Sequence, residues 1–346
     1  MNVRIMADSP IRFPGLFGDW AFTGSSVAFH IGGKAIYWYG IIIALGVLLA
    51  LWFCMKQKEK YGITEDNLMD GVLWGIPLAI VGARLYYVLF YLDRFKKADG
   101  SFDWAESVAI WDGGLAIYGG VIAGILTGIV WCRKRKIPFG AMADVCAPGL
   151  LIGQCIGRWG NFFNQEAFGT NTDTALFRMW SVKIRDTLAA SSADLAAKGV
   201  TVDPEVPVHP TFLYESLWCV LGFLILNYIV HKHRSFKGEI FVLYGVWYGV
   251  ERMVVEGMRT DSLYIGSTSI RVSQVLSAVI AVVALVYFIV VMVKKKQGRL
   301  PQRLRVVPVE ELPPRPTKEE RRAAQAAKRG KTKNKGVNEE KNGTDH

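Results

Sequence analysis

The sequence predicts an all-α polytopic membrane protein. It has seven transmembrane helices, its N-terminus outside and its C-terminus inside, and a small external head between spans four and five. Three observations carry this reading. Of 346 residues 51% are hydrophobic, and mean hydropathy is +0.23 despite 41 Lys+Arg and 30 Asp+Glu. The charge is segregated, because residues 294–346 hold 16 basic and 7 acidic side chains and leave 25 and 23 to the first 293. The apolar residues form runs of about the 20 residues that a bilayer core requires. An ordinary soluble domain, with apolar residues spaced between polar faces, is excluded. So is a disulfide-stapled secreted domain. The five cysteines (Cys54, Cys132, Cys146, Cys155, Cys219) are scattered, form no CxxC, and read as buried thiols. The basic pI of 9.4 belongs to the tail and gives no reason to expect a nucleic-acid partner.

Residues 1–35 form an external N-terminal segment. It lacks a basic region leading into an apolar run and a cleavage site, so it is not a secretory signal, and it suits a short amphipathic element. The seven-span domain covers 36–293. Ile36–Phe53, Leu115–Trp131 and Val272–Val293 contain no charge. Leu73–Tyr91 contains Arg84, Val145–Phe163 contains Arg158, and Pro210–Val230 contains Glu215. Ile240–Met258 is the least apolar, with Glu251, Arg252 and Glu256. Basic residues crowd alternate connections: Lys56, Lys58 and Lys60; Arg133, Lys134, Arg135 and Lys136; Lys232, Arg234 and Lys237; and Lys294, Lys295 and Lys296. The positive-inside rule places these in the cytoplasm. The external head, 164–208, combines a Ser-, Ala- and Asp-rich stretch (Ala189–Ala197) with prolines at 204 and 207. Residues 294–346 read as a basic, disordered cytoplasmic tail, suited to anionic inner-leaflet lipid or to anchoring the topology.

Gly120, Gly124 and Gly128 repeat every fourth residue, as do Gly149, Gly153 and Gly157. Small residues at this spacing let helices approach closely in lipid. Ionised groups in a span cost about 2.5–3.5 kcal/mol at mid-bilayer on insertion scales, so they pair, face water or serve function. Tyr248, Arg252, Glu256 and Arg259 fall at about 0°, 40°, 80° and 20° around one helix, a single narrow face. Arg252 and Glu256 can pair along it. They serve either as a structural ion pair or as part of a site. The segment Gly157–Gly169 interleaves Arg158, Asn161, Asn164 and Glu166 with glycine where a span meets the outer surface. A permanently charged planar fork beside neutral donors describes an anion site at headgroup level. Arg84 either joins that site or snorkels to the interface. His231 and His233 lie in a basic loop and lack the three or four convergent ligands of a metal site.

At these residues the sequence resembles the bacterial prolipoprotein diacylglyceryl transferases. Gly157–Gly169 reads G-R-x-G-N-F-x-N-x-E-x-x-G, that family's signature. Tyr37–Gly40, Gly82–Leu85, Asp112–Gly120, His209–Glu215 and Tyr248–Arg259 agree in order, so the resemblance spans about residues 30–293. It implies a multi-pass enzyme of the bacterial cytoplasmic membrane that needs no metal or organic cofactor. Such an enzyme moves the diacylglyceryl group of phosphatidylglycerol onto the lipobox cysteine thiol in a prolipoprotein signal peptide. A thioether forms and glycerol phosphate leaves, as the first step of lipoprotein maturation. By the same resemblance Arg158, Arg252 and Tyr118 are catalytic, the arginines holding the phosphate. Arg158, Tyr39, Asn161, Glu166, Gly169, Tyr248 and Glu256 contact substrate, with Asn161 and Tyr248 donating to the headgroup and Glu166 and Glu256 orienting the arginines. His209 is a structural start to the fifth span. Enterobacterial members carry histidine at the position of Tyr118; the tyrosine here is shared with many Gram-positive relatives. Neutral tyrosine, with a pKa of about 10, is a poor acceptor for a thiol proton. Tyr118 therefore acts as a phenolate beside an arginine, or positions substrate while a carboxylate, water or phosphate oxygen takes the proton. The rival readings are an anionic-solute transporter, which calls for a repeat between the halves, and an intramembrane protease, which calls for a catalytic set such as HExxH. Neither pattern is present in the sequence.

Overall fold

The computed structural model describes residues 9–97, 99–110, 113–265 and 268–306. The expectation of disorder beyond 306, and Asp112 of the third motif, lie outside them.

The chain opens with two small antiparallel sheets that the all-α expectation did not include. β1 (Ile11–Arg12) pairs with β2 (Ala21–Phe22), with the short α1 (Pro14–Phe17) between them; β3 (Val27–Ile31) pairs with β4 (Lys34–Tyr37). The turn in the second hairpin holds Gly32 and Gly33 at positive φ, which glycine adopts without steric cost. The long helices follow: α2 (Trp38–Gln57), α3 (Glu65–Phe90), the short α4 (Trp104–Val108), α5 (Ile117–Arg135), α6 (Phe139–Asn164), α7 (Val182–Ala197), α8 (Thr211–Leu224), α9 (Glu239–Met258) and α10 (Val272–Lys296). A π-helical stretch, Ile225–Val230, continues α8.

Six of these, α2, α3, α5, α6, α8 and α10, are long and apolar enough to cross a membrane. The protein is thus a mostly helical, polytopic membrane protein. The seventh expected span, Ile240–Met258, is a continuous helix, but Glu239, Glu251, Arg252 and Glu256 keep it outside that apolar class. Half of α6's most apolar window is buried, against 11–17% for α2, α3, α5 and α10, so α6 is the central helix. Its glycine face works as the spacing predicts. A Cβ on Gly149 would lie 2.6 Å from Cys54 Sγ of α2, and one on Gly157 would lie 3.2 Å from Ile43. On α5 the tightest approach is one residue off the expected stripe. Gly119 and Gly82 of α3 face each other, and a Cβ on Gly82 would come within 2.8 Å of the Gly119 carbonyl oxygen.

At one end of the bundle, residues 9–37 and the head share a small core of their own. Ile11, Phe162, Phe168, Met179, Ile184, Leu188, Val208 and Phe212 are all buried there. Arg12 and Trp180 exchange two backbone hydrogen bonds at 2.8 and 3.0 Å, which ties the N-terminal strand to the head. Ser181 caps α7 by accepting from the Ile184 N–H at 3.1 Å. The expected separate N-terminal segment and head are therefore one cap with mixed structure. Across the bundle, Asp144 of α6 is fully buried and accepts from the N–H groups of Gly238 (2.8 Å) and Phe241 (3.1 Å), with Arg234 at 3.5 Å. It caps α9 from a neighbouring helix, satisfying donors that a helix start leaves open. The tail's first residues are ordered, contrary to a disordered stretch from 294. α10 continues to Lys296, and the Lys237 N–H donates to Leu304 O at 2.8 Å.

Asp144→Ala strands two buried N–H groups and the Arg234 charge. It should lower stability by about 1–3 kcal/mol, read as a fall in the thermal unfolding midpoint in detergent.

Candidate active site

Three helix faces and one loop build the site. α6 presents Arg158, α8 presents Glu215 and α9 presents Arg252 and Glu256. Glu215 is fully buried. Its Oε1 accepts from Arg252 Nη1 at 2.6 Å, and its Oε2 lies 3.1 Å from Arg158 Nη1. Arg252 also donates through Nη2 to Glu256, one turn further along α9. One carboxylate thus joins arginines from two helices, and Arg252 is held on both sides. Arg158 keeps the rest of its donor fork, with no other polar partner among the described residues and 21% of its side chain exposed. Tyr248 lies one turn before Arg252 and stacks on Tyr244, with centroids 5.9 Å apart.

The α8–α9 contact is locked a short way below. Trp218 and Trp247 stack at 4.4 Å, and each indole N–H donates to the other's backbone carbonyl, at 3.2 and 3.1 Å. Indole donors find partners when buried, and here they fix helix register. A Cβ on Gly222 would run into Trp247, so glycine makes room for the pair. On the α6 side, Trp159 donates to Ser216 Oγ at 3.2 Å, and Ser216 donates to the Cys155 carbonyl at 3.1 Å.

The signature segment then leaves α6 through an irregular loop. Gln165 (φ 51) and Ala167 (φ 57) are left-handed although neither is glycine. Such strain persists only where surroundings over-determine it, and here they do. Gln165 is buried, donates to Ser9 O at 2.8 Å and accepts from Ser181 Oγ at 2.6 Å. Thr211 donates to Ala167 O. Gly169 N–H donates to His209 O at 2.8 Å, and Thr170 N–H to Met258 O at 2.8 Å. A Cβ on Gly169 would lie 2.9 Å from His209 Cβ and 3.3 Å from Met258 O, which explains the glycine. His209 does structural work, as expected: its backbone pairs with the loop and its Nδ1 lies 3.1 Å from Tyr214 Oη. Burial lowers its pKa and favours the neutral ring.

Glu166 differs from the expectation that it orients an arginine. Its Oε1 accepts from Asn161 and Asn164, both at 3.1 Å. Amide donors two and five residues away reach it first because the loop folds back on the helix end. Glu166, Asn164 and Tyr39 line an open cavity of about 790 Å³ with Tyr37, Gly40 and Lys183. Tyr39 packs on Gly160, where a Cβ would lie 2.6 Å from its ring. Tyr118 makes its hydroxyl contact with α10, 3.0 Å from Ser273 Oγ. Arg84 neither joins the site nor snorkels. It is buried, and it donates to the carbonyls of Ser107 (2.9 Å), Gly113 (2.6 Å) and Gly114 (3.1 Å), pinning the loop before α5. The reason is local: the end of α4 leaves carbonyls that need donors.

Sequence reasoning assigned no role to Glu215, although it stood in a quoted motif. A lone acid in an apolar window was the signal, because such a group needs a partner. Among the described residues no three His, Cys, Asp or Glu side chains converge as a metal site would require.

The sequence model of the family described as "Prolipoprotein diacylglyceryl transferase" matches residues 26–290. Three relatives carry the name phosphatidylglycerol–prolipoprotein diacylglyceryl transferase. The Oceanobacillus iheyensis protein is 41% identical over 263 residues, 76% of this chain and 86% of its own. That of Finegoldia magna is 44% identical over 260 residues, 75% and 93%. That of Listeria monocytogenes is 42% identical over 259 residues, 75% and 87%.

Glu215→Ala removes the shared counter-charge of two enclosed arginines. The expected cost is about 3–5 kcal/mol, measured by thermal unfolding, and larger than that of Glu166→Ala, whose partners are neutral amides.

Proposed function

The chain belongs to the prolipoprotein diacylglyceryl transferase family, and from that membership we propose how its residues divide the work. It transfers the diacylglyceryl group of phosphatidylglycerol to prolipoproteins, the first step of lipoprotein maturation. The acceptor is the lipobox cysteine thiol of the signal peptide. Its sulfur attacks the glycerol carbon that bears the phosphate, a thioether forms, and glycerol phosphate departs.

Negative charge grows on the phosphate as the carbon–oxygen bond breaks, and fixed donors in a water-poor site stabilise such charge most effectively. Arg158 is the phosphate-binding arm. The observation that carries this is the Glu215 bridge, which fixes one Nη of Arg158 and leaves the remaining fork for an anion. Arg252, gripped by Glu215 and Glu256, supplies field and holds the bridge in register. Tyr39, Asn161 and Glu166 receive the headgroup side of the lipid at the open cavity, with Gly169 keeping the loop close. Tyr248 faces the phosphate from the turn before Arg252. Tyr118 positions substrate while braced by Ser273.

α9 counts as the seventh span. Its carboxylates and arginine turn toward α6 and α8, so lipid meets only its apolar sides. The basic connections then set the cap outside the bacterial cytoplasmic membrane and the Lys294–Lys296 end in the cytoplasm. The thiol substrate, delivered by a secreted precursor, meets the arginines on the outer side.

Purified protein in detergent with phosphatidylglycerol and a lipobox peptide should release glycerol phosphate. Arg158→Ala and Arg252→Ala should each lose at least about 100-fold in rate, the scale of removing one stabilising donor. A Cys→Ser peptide should yield nothing. Cysteine-independent release, or full activity in both arginine variants, would overturn the reading. In the same assay Tyr118→Phe should keep its rate within about tenfold, since it loses only the hydroxyl bond to Ser273; complete loss would restore Tyr118 as an acid–base group.

A further inference from the structure

We propose that Glu251 relays the proton of the attacking thiol to the departing phosphate, an inference that rests on the transferase reading above. Four carboxylates surround this part of the bundle, and three are occupied. Glu215 holds two arginines, Glu256 holds one, and Glu166 accepts from two asparagines. Glu251 is only 5% exposed, and its Oε1 has no hydrogen-bond partner among the described residues; Glu215 Oε2 also accepts no hydrogen bond there, but it faces the Arg158 guanidinium at 3.1 Å, whereas Glu251 Oε1 has no ion-pair partner either.

Its direction follows from helix geometry. Glu251 lies seven residues after Tyr244, close to two full turns, so both look the same way from α9. Tyr244 looks at α6, where Gln154 donates to its hydroxyl at 2.9 Å. The charges that act on Glu251 are Glu215 of α8, Arg158 of α6 and Arg252 of its own helix. Cys219 of α8, and Tyr244 and Tyr248 of α9, are the other titratable groups within reach of it. Glu251 therefore sits inside the arginine enclosure, with an oxygen that the fold leaves unused.

Charge balance gives that oxygen its task. The two arginines are already matched by Glu215 and Glu256. A phosphodiester adds one negative charge, and its cleavage to a phosphate monoester adds another. An ionised carboxylate with an undonated oxygen is costly in such surroundings, so Oε1 is where the enclosure holds a proton. In the transfer the S–H bond breaks and the S–C bond forms. The C–O bond breaks with its electron pair going to the phosphate oxygen. Glu251 gives its proton to that oxygen and takes the proton of the thiol. One proton has moved from sulfur to phosphate, Glu251 ends as it began, and no further reagent is consumed.

The test compares two lipid donors with the full-length enzyme: ordinary phosphatidylglycerol, and an analogue with sulfur replacing the oxygen between the diacylglyceryl carbon and phosphorus. The thiophosphate sulfur is the weaker base and departs without a proton from Glu251, and the thiol proton passes instead to a non-bridging phosphoryl oxygen of the leaving group. On the oxygen donor, Glu251→Gln should lower kcat by about 100-fold or more, the scale of a lost acid–base group, with KM within about threefold. On the sulfur donor the deficit should shrink below about tenfold. A Gln variant within about threefold of wild type on the oxygen donor, or equal deficits on both donors, overturns the proposal. Should Glu251→Gln fail to fold, Glu251→Asp on the two donors is judged by the same criteria. A folded wild type that releases no glycerol phosphate fails the transferase reading itself, and the proposal falls with it. Wild-type release with equal deficits fails the proposal alone.

Discussion

The carboxylate of Glu215 is the constraint on which the centre of this protein depends. Two guanidinium groups, from α6 and α9, sit among apolar helices where an unpaired ion is very costly. One fully buried acid on α8 answers both, at 3.1 and 2.6 Å. Burying such a triad gains little net stability over an apolar substitute, because desolvation offsets attraction. Its value lies in geometry. Three helices are held at fixed register by one group, and any shift of α8 would misplace both arginines. The Trp218–Trp247 exchange and the room left by Gly222 guard against that shift.

Above the triad the backbone is irregular, and its irregularity is supported from every side. Gln165 and Ala167 hold left-handed conformations that neither residue prefers. Ser9, just before β1, and Ser181 of the head bond Gln165, Thr211 of α8 bonds Ala167, and Met258 at the end of α9 accepts from Thr170. Four separate parts of the chain converge on six residues. This is why the cap has its own apolar core: it is the rigid body that holds the loop, and the loop holds Asn161, Glu166 and Gly169.

Six of the seven expected spans were legible because hydropathy over about 20 residues is a strong signal. So was the α6 glycine face, whose spacing has one physical use in lipid. On α5 Gly120 and Gly124 do face α3 at Ala79, but the closest approach is at the adjoining Gly119, since only the facing helix decides which of two neighbouring glycines is nearer. The short strands at the N-terminus were not legible. Strands of two to five residues carry little periodicity, and β1 is tied to Trp180 of the head, far away in sequence. The arginines of the site announced themselves as charges in apolar windows. Their partner did not, because pairing across helices depends on packing that no local pattern encodes. Arg84 shows the same limit: its anchors are carbonyls more than 20 residues away, and sequence says nothing of where a loop will present its backbone.

Tyr118 brings these strands together. A histidine at this position could take a thiol proton near neutral pH, whereas a neutral phenol cannot do so readily. Its hydroxyl is paired with Ser273, which holds α5 against α10 and assigns the ring a place more than a charge. If the ring only positions substrate, proton movement must fall to another group within the same enclosure. The enclosure contains an acid with one oxygen unused, on the helix that already supplies Arg252. On the proposed reading, a tyrosine is tolerated at 118 because the proton never has to leave the space between sulfur and phosphate. The leaving phosphate is itself the final acceptor, and a single buried carboxyl suffices to connect them.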